Sequence, residues 1–280
     1  MVVDSSRLIL TEKTGLSCGP EALHEALYMH RKRLVGRLAE LTPADWAAPT
    51  RCPQWSVHEV VRHIVDVAEY HVTQLAKRPE PTRFDRFGPF NPVSTPVLWL
   101  QDSAGQSPEQ TVESLLRVIE EEHDILGARI DEGGAALERS AAGREILWHV
   151  QSLHIMWDAW LHERDMAETL GAGEPPDATV QSLVALYSLL IAGGVATVFG
   201  DTPQVSFHLT GSPDGVYEIS GHRDDVRVAV GSDSPSQLNG PFEAVLESLA
   251  GRGPSLAEVT GVSNATVEGL SRLAVVMTAR

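Results

Sequence analysis

Apolar residues recur at helical spacing through the first two-thirds of the chain and then switch to alternation, so two kinds of architecture follow one another. Between Glu21 and Leu41, the positions Leu23, Leu27, Leu34 and Leu38 share one face of a helix. Ser56, a preferred N-cap residue, opens a second helix running to about Leu75. Residues Arg78 to Asn91, with Phe84, Phe87 and Phe90 among prolines and arginines, break the period and read as a long loop suited to a lid or a substrate rim. Ser107-Pro108-Glu109 starts a helix to about Ile130, and a fourth spans Gly143 to Leu170, closed by Gly171.

The uncharged run from Ala178 to Gly200 is long enough for a membrane span. Asp177 and Asp201 bound it without a Lys or Arg anchor, and Gly193-Gly194 interrupts it, so a buried helix closing the bundle is expected. Beyond Asp201 the period becomes two: Val205, Phe207 and Leu209 alternate, Ser212-Pro213-Asp214-Gly215 makes a turn, and Val226, Val228 and Val230 alternate again. Pro241 to Ala250 then reads as a helix. The expected organisation is a helical bundle over residues 1–201 and a small α+β domain over residues 202–280.

A chain of 280 residues has room for both domains. Its 38 acidic against 22 basic residues give a formal net charge of -16, which repels nucleic acid and anionic membrane and leaves small-molecule chemistry as the expectation. The first fifteen residues contain neither a basic n-region nor a long apolar stretch, so no secretory signal is expected. Two cysteines, Cys18 and Cys52, are too few for a disulfide scaffold and agree with a reducing cytoplasm. Cys52 stands just before the helix at Ser56, where a thiolate could be favoured, but a small packing residue is the plainer expectation. A rival pattern, Leu256 to Val267, mimics a helix-turn-helix. Only Arg272 and Arg280 lie near it as positive charge, beside Glu268, so these residues are expected to finish the C-terminal domain rather than to bind DNA.

The chemistry concentrates in Trp157 to Asp165, where Asp158 and His162 lie one helical turn apart on one face. His63, on the helix after Ser56, can be brought against that face by antiparallel packing. Two imidazoles and a carboxylate then leave an open coordination position, as in catalytic zinc sites. His154 also lies one turn from Asp158, and since His154 and His162 are roughly 12 Å apart along the helix, one ion can take only one of them. Asp66 and Asp165, three residues after His63 and His162, are placed to orient imidazoles as hydrogen-bond acceptors. His24, His30, His71, His123 and His149 show no comparable pairing in the sequence.

The run Leu41-Thr42-Pro43-Ala44-Asp45-Trp46, continued by Pro49 through Cys52-Pro53-Gln54-Trp55-Ser56 to His63, resembles the signature opening the second helix of the mycothiol-dependent maleylpyruvate isomerase family, part of the DinB-like four-helix metalloprotein superfamily. The likeness covers nearly the whole chain. Leu246 to Arg252 is similar to the end of the family's small sterol-carrier-like C-terminal domain. The resemblance implies a DinB-like metal-binding four-helix bundle followed by a small α+β domain. It implies His63, Asp158 and His162 as ligands to a divalent metal, zinc first, with Asp158 replacing the more usual Glu, and Arg252 as the catalytic residue that meets the thiol cofactor. Mycothiol, activated as a thiolate on the metal, would attack an electrophilic small molecule. Release of the adduct makes an S-transferase, and expulsion of the thiol after bond rotation makes a cis/trans isomerase of the maleylpyruvate type. A non-catalytic ligand-binding protein or regulator is the further alternative. A cytoplasmic monomer or homodimer, with a thiol and an electrophile as its partners, completes the expectation.

Overall fold

The computed structural model describes residues 20–76, 82–88, 90–91, 94–131, 137–139, 145–171, 175–211, 214–222, 225–231 and 235–278. Cys18, Arg78, Gly143, Ser212, Pro213 and Arg280, which entered the sequence reading, lie outside them. The chain divides into two compact units, one from Pro20 to Val180 and the other containing the described residues from Gln181 onward.

In the first unit, helix α1 (Pro20–Leu38) buries Leu23, Leu27, Leu34 and Leu38, the face that the spacing predicts. A short α2 (Pro43–Trp46) leads to α3 (Val57–Leu75). Ser56 caps α3 reciprocally: its Oγ accepts from the Glu59 amide at 3.3 Å, while its own amide donates to Glu59 Oε2 at 2.8 Å. A brief α4 (Thr95–Asp102) follows, too short to show a period, and then α5 (Pro108–Asp131). Strands β1 (Leu137–Arg139) and β2 (Glu145–Leu147) pair antiparallel and feed α6 (Trp148–Asp165) and α7 (Ala167–Leu170). The helix expected from Gly143 to Leu170 is therefore corrected. Residues 145–147 are strand, α6 starts at Trp148, and the chain breaks at Met166 before one further turn.

The long helices pack in a ring in which α1 touches α5, α5 touches α3, α3 touches α6 and α6 returns to α1. One apolar cluster between them holds Leu34, Val57, Val60, Ile64, Leu115 and Met166, all essentially removed from water. Fully burying a side chain of this size contributes about 1.5–3 kcal/mol. Trp148, Trp157 and Trp160 are all deeply buried on α6, so that helix is enclosed on more than one face. Electrostatics fix its rotation: Glu163 binds Arg33 at 2.5 Å and also pairs with Arg37, both from α1.

In the second unit, α8 (Ala178–Val198) precedes a four-stranded sheet of β3 (Gln204–Thr210), β4 (Gly215–His222), β5 (Asp225–Val230) and β6 (Leu238–Pro241) in the order β5-β4-β3-β6. Its first three strands form an antiparallel meander, and β6 runs parallel to β3. The alternating Val205, Phe207 and Leu209 are buried as their period requires. Helix α8 is the one described helix long and apolar enough to cross a membrane, and most of it is buried. The two compact units divide at Val180, which groups most of α8 with the sheet. A side chain at Gly193 would come within 2.8 Å of Val226 and 3.0 Å of Ile219, so glycine there permits a close helix-to-sheet approach.

Helix α9 (Phe242–Leu249) covers β3 and β6, and α10 (Leu256–Thr260), α11 (Ala265–Leu270) and α12 (Arg272–Thr278) end the chain. Leu256, Val267 and Leu270 are buried, so the segment that mimics a helix-turn-helix contributes to this domain's core.

Candidate metal centre

Capping at Ser56 and burial of Val57, Val60, Val61 and Ile64 fix the rotation of α3, which turns His63 towards α6. The start of α3 lies beside the end of α6: the Arg51 amide donates to the Asp165 carbonyl at 3.0 Å. Across that contact the rings of His63 and His162 meet edge to face, 4.9 Å between centroids and 87° between planes. Asp158 lies between their outer nitrogens, with Oδ2 4.0 Å from His63 Nε2 and Oδ1 3.7 Å from His162 Nε2. Ligand atoms of all three residues fall within 4.8 Å of one another. Trp55 flanks both imidazoles, at 5.1 Å from His63 and 6.3 Å from His162 between centroids. Its loop includes Gln54 at φ 73°, the one described non-glycine residue with positive φ.

The inner nitrogen of His162 faces a different set. Its Nδ1 is 3.1 Å from Asp165 Oδ2, and the Cys52 thiol donates to the same oxygen at 3.0 Å. Burial pulls the His162 imidazolium down, but the Asp158 charge and the hydrogen bonds to Asp165 and Cys52 outweigh it and raise its pKa to about 10. Without metal, the site therefore carries a proton on His162 where an ion would bring its charge.

The donor set fits a divalent ion. The Asp158 oxygens lie 3.7 and 4.0 Å from the two imidazole Nε2 atoms, and ligand atoms of all three residues fall within 4.8 Å of one another, against the roughly 3.4 Å edge expected of a tetrahedron with 2.0–2.1 Å bonds. Asp158, with its side chain 15% exposed, is the most accessible of the three, which leaves approach possible from its side. His154 is absent from this group; it lies back along α6 against Trp157, and burial lowers its pKa.

One expected support needs correction. Asp66 does not orient His63: its Oδ1 accepts from Arg83, and burial pushes its carboxyl up to about 6 against the pull of that guanidinium. The other histidines, without comparable pairing in the sequence, find partners through packing: His71 Nδ1 is 2.7 Å from Glu122 and His24 Nε2 is 2.8 Å from the His123 carbonyl oxygen. Both partners are about fifty or more residues away in sequence, so no local spacing could reveal them. Phe84, expected in a lid or rim, is buried against Tyr70 and Trp99. A polar surface cavity of about 370 Å³ beside that loop is lined by Arg83, Arg117, Glu69 and Asp102, whose charges largely pair with one another. Arg252 belongs to the second unit, where its Nη1 lies 3.5 Å from the Ala250 carbonyl oxygen and its amide donates to the Glu247 carbonyl at 2.7 Å.

Fold and site together define a helical protein with a two-histidine, one-carboxylate group between two of its long helices, joined to a small α+β domain. Residues 29–167 match the family model described as the mycothiol maleylpyruvate isomerase N-terminal domain. Residues 29–167 thus carry a domain of the mycothiol maleylpyruvate isomerase N-terminal type. Among solved structures it is similar to the crystal structure of the mycothiol-dependent maleylpyruvate isomerase, at 10% identity and a TM-score of 0.58, covering 84% of this chain and 90% of that one. A histidine-to-alanine mutant of the mycothiol-dependent maleylpyruvate isomerase matches at 9% identity and a TM-score of 0.55, with the same coverage. At such identity the likeness carries the fold. No curated protein sequence matches the chain.

Proposed function

We propose that this protein is a divalent-metal-dependent enzyme that uses mycothiol as a nucleophile against an electrophilic small molecule, most simply as a thiol S-transferase. The observation that carries the reading is the convergence of His63 Nε2, His162 Nε2 and the Asp158 carboxylate. These three residues would hold the ion and leave a further position open. Zinc suits an imidazole and carboxylate set of this kind. Bound there, it supplies a Lewis acid that lowers the pKa of a thiol, so that the sulfur is nucleophilic at neutral pH.

In the transfer reaction the thiol proton passes to solvent, a carbon–sulfur bond forms, and the electron pair of the broken bond leaves with the displaced group. Trp55, against both imidazoles, walls the site on that side. Arg252 is carried into this proposal by the family resemblance, as the group that meets the thiol cosubstrate.

The descriptions of the family and of the similar structures favour a second reading. In it the sulfur adds to a carbon–carbon double bond conjugated with a carbonyl, the displaced pair moves into the carbonyl, and the remaining single bond rotates. The pair then returns and expels the thiol. Both readings share the thiol, the metal and the three ligands. A reducing cytoplasm, where a free buried thiol such as Cys52 persists, is the compartment we assign.

Elemental analysis of the wild type beside His63→Ala and His162→Ala tests the shared part. One equivalent of divalent metal in the wild type, lost in both variants together with thiol-dependent turnover, is the expected result. A wild type that neither contains nor takes up metal would overturn the proposal. Mass detection of a stable thiol adduct then selects transfer, and a substrate altered in geometry with the thiol unconsumed selects isomerisation.

A further inference from the structure

His162 stands between two groups that compete for its role. Its Nε2 faces Asp158 and His63, while its Nδ1 faces Asp165 and Cys52, and each set brings three potential ligands together. The second set has hydrogen-bond spacing, with His162 Nδ1 3.1 Å and Cys52 Sγ 3.0 Å from the same Asp165 oxygen, and the sulfur 3.7 Å from the ring nitrogen. Its members are also shut away from solvent: Cys52 and Asp165 are each 1% exposed. Such a set has no open face for a ligand exchanged with solvent, and its short separations are those of shared protons.

We propose that Asp165 is a positioning residue for the metal centre, holding the proton of His162 on Nδ1 so that Nε2 faces the ion, with the Cys52 thiol fixing the Asp165 carboxylate in that orientation. The inference rests on the proposed metal site and adds to it a supporting shell on the first turn beyond His162. The physical logic is tautomeric. A neutral imidazole carries one N–H, and a carboxylate beside Nδ1 selects the form in which that proton sits on Nδ1 and the lone pair on Nε2. A carboxylate that could swing would lose this selection. Asp165 is restrained twice, because the Arg51 amide holds its backbone carbonyl and the Cys52 thiol holds its side chain. Both restraints come from the segment that leads into the His63 helix, so one short loop ties together the supports of the two imidazoles.

This gives Cys52 a role without requiring it to be a nucleophile. A serine can donate the same kind of hydrogen bond to Asp165 and an alanine cannot. Cys52 also belongs to the apolar cluster, so either substitution alters packing, and the contrast between the two isolates the hydrogen bond.

Zinc titration against a competing chelator, with long-range proton–nitrogen NMR of the zinc-loaded protein, tests the proposal. For the wild type we expect the His162 spectrum of a ring protonated on Nδ1 and metallated on Nε2. Asp165→Asn should weaken zinc binding by about 10–100-fold while the far-ultraviolet circular dichroism remains that of the folded protein. Cys52→Ala should weaken it less, and Cys52→Ser should restore most of that loss. Undiminished zinc affinity with an unchanged tautomer in folded Asp165→Asn overturns the inference and leaves the metal site standing. If Asp165→Asn does not fold, the cysteine pair decides, and equal affinity in the alanine and serine variants overturns it. Cobalt substitution covers the remaining arrangement: a sulfur-to-cobalt charge-transfer band would place the ion on Cys52, Asp165 and Nδ1, and the inference falls. A wild type that binds no zinc removes the inference together with the functional proposal.

Discussion

Two clusters of histidine and carboxylate occupy the helical unit, separated by about 12 Å along α3 from His63 to His71. In the first, Asp158 lies 3.7–4.0 Å from the Nε2 atoms of two imidazoles and retains some exposure. In the second, Glu122 is essentially inaccessible, 3.0 Å from Arg31 and 2.7 Å from His71. Burial alone would push the Glu122 carboxyl up, but Arg31 and His71 prevail and hold it below its ordinary value. The same residue types therefore serve two ends. Arginine keeps its proton in proteins, so the charge that balances Glu122 is permanent. Beside Asp158 the balancing charge is a proton on His162, which an incoming ion can displace. The second cluster joins α1, α3 and α5, while the first is the one we propose to take a metal cation.

The sharpest way to break this comparison is to remove one imidazole from the first cluster. His63→Ala should lose the bound metal and reduce thiol-dependent turnover to that of the reaction in solution, with the helical circular dichroism retained. Retained metal and turnover would mean that the first cluster is as structural as the second. The reciprocal change is Glu122→Ala, which leaves Arg31 buried without its counter-charge and should cost about 3–5 kcal/mol in urea denaturation. The fraction that folds should still bind one equivalent of metal. A loss of metal without a loss of stability would reverse the roles assigned to the two clusters.

The pH response should separate them as well. His162 has a folded pKa raised from 6.5 to about 10, so its stabilising contribution to the metal-free protein is fully present below 6.5 and is lost as pH rises through about 10. The melting temperature of the metal-free protein should fall across that window. Metal affinity should move the other way, rising about tenfold per pH unit up to about 10, because each ion must displace that proton. Chelator competition at several pH values measures the slope. A flat profile would show that the proton is not held on His162.

How much of this was legible in the sequence follows from where each signal sits. Helix α3 announced itself through Ser56 and Glu59, a local pair, and Asp158 and His162 through their spacing on α6. His63 meets them only through packing across about a hundred residues, and the family resemblance supplied that link. The Asp165 support was visible as a spacing of three from His162. Its counterpart Asp66 had the same spacing from His63 yet turns to Arg83, because equal spacing on a helix says nothing of what the neighbouring segment offers. The Arg31, His71 and Glu122 cluster draws one residue from each of three helices and has no local signature at all. Helix α8 announced its burial through its apolar character, whereas the close approach of Gly193 to Val226 and Ile219 of the sheet had no local signal.

The smallest effect is expected at Asp158, where the resemblance implies glutamate as the more usual residue. Asp158 reaches from α6 with an arm one methylene shorter than a glutamate's, and its oxygens lie 3.7 Å from His162 Nε2 on the same helix and 4.0 Å from His63 Nε2 on the facing one. An ion held at ordinary bond lengths would pull the three side chains closer together than this. Asp158→Glu lets the carboxylate extend towards His63 and relieves that pull. Zinc affinity should tighten by no more than about tenfold, roughly 1.4 kcal/mol, with one equivalent still bound. Chelator competition on the variant measures it. Affinity weakened by more than that would mean that the short arm is matched to this pocket, and that Asp158 shapes the centre through its fit as well as through its charge.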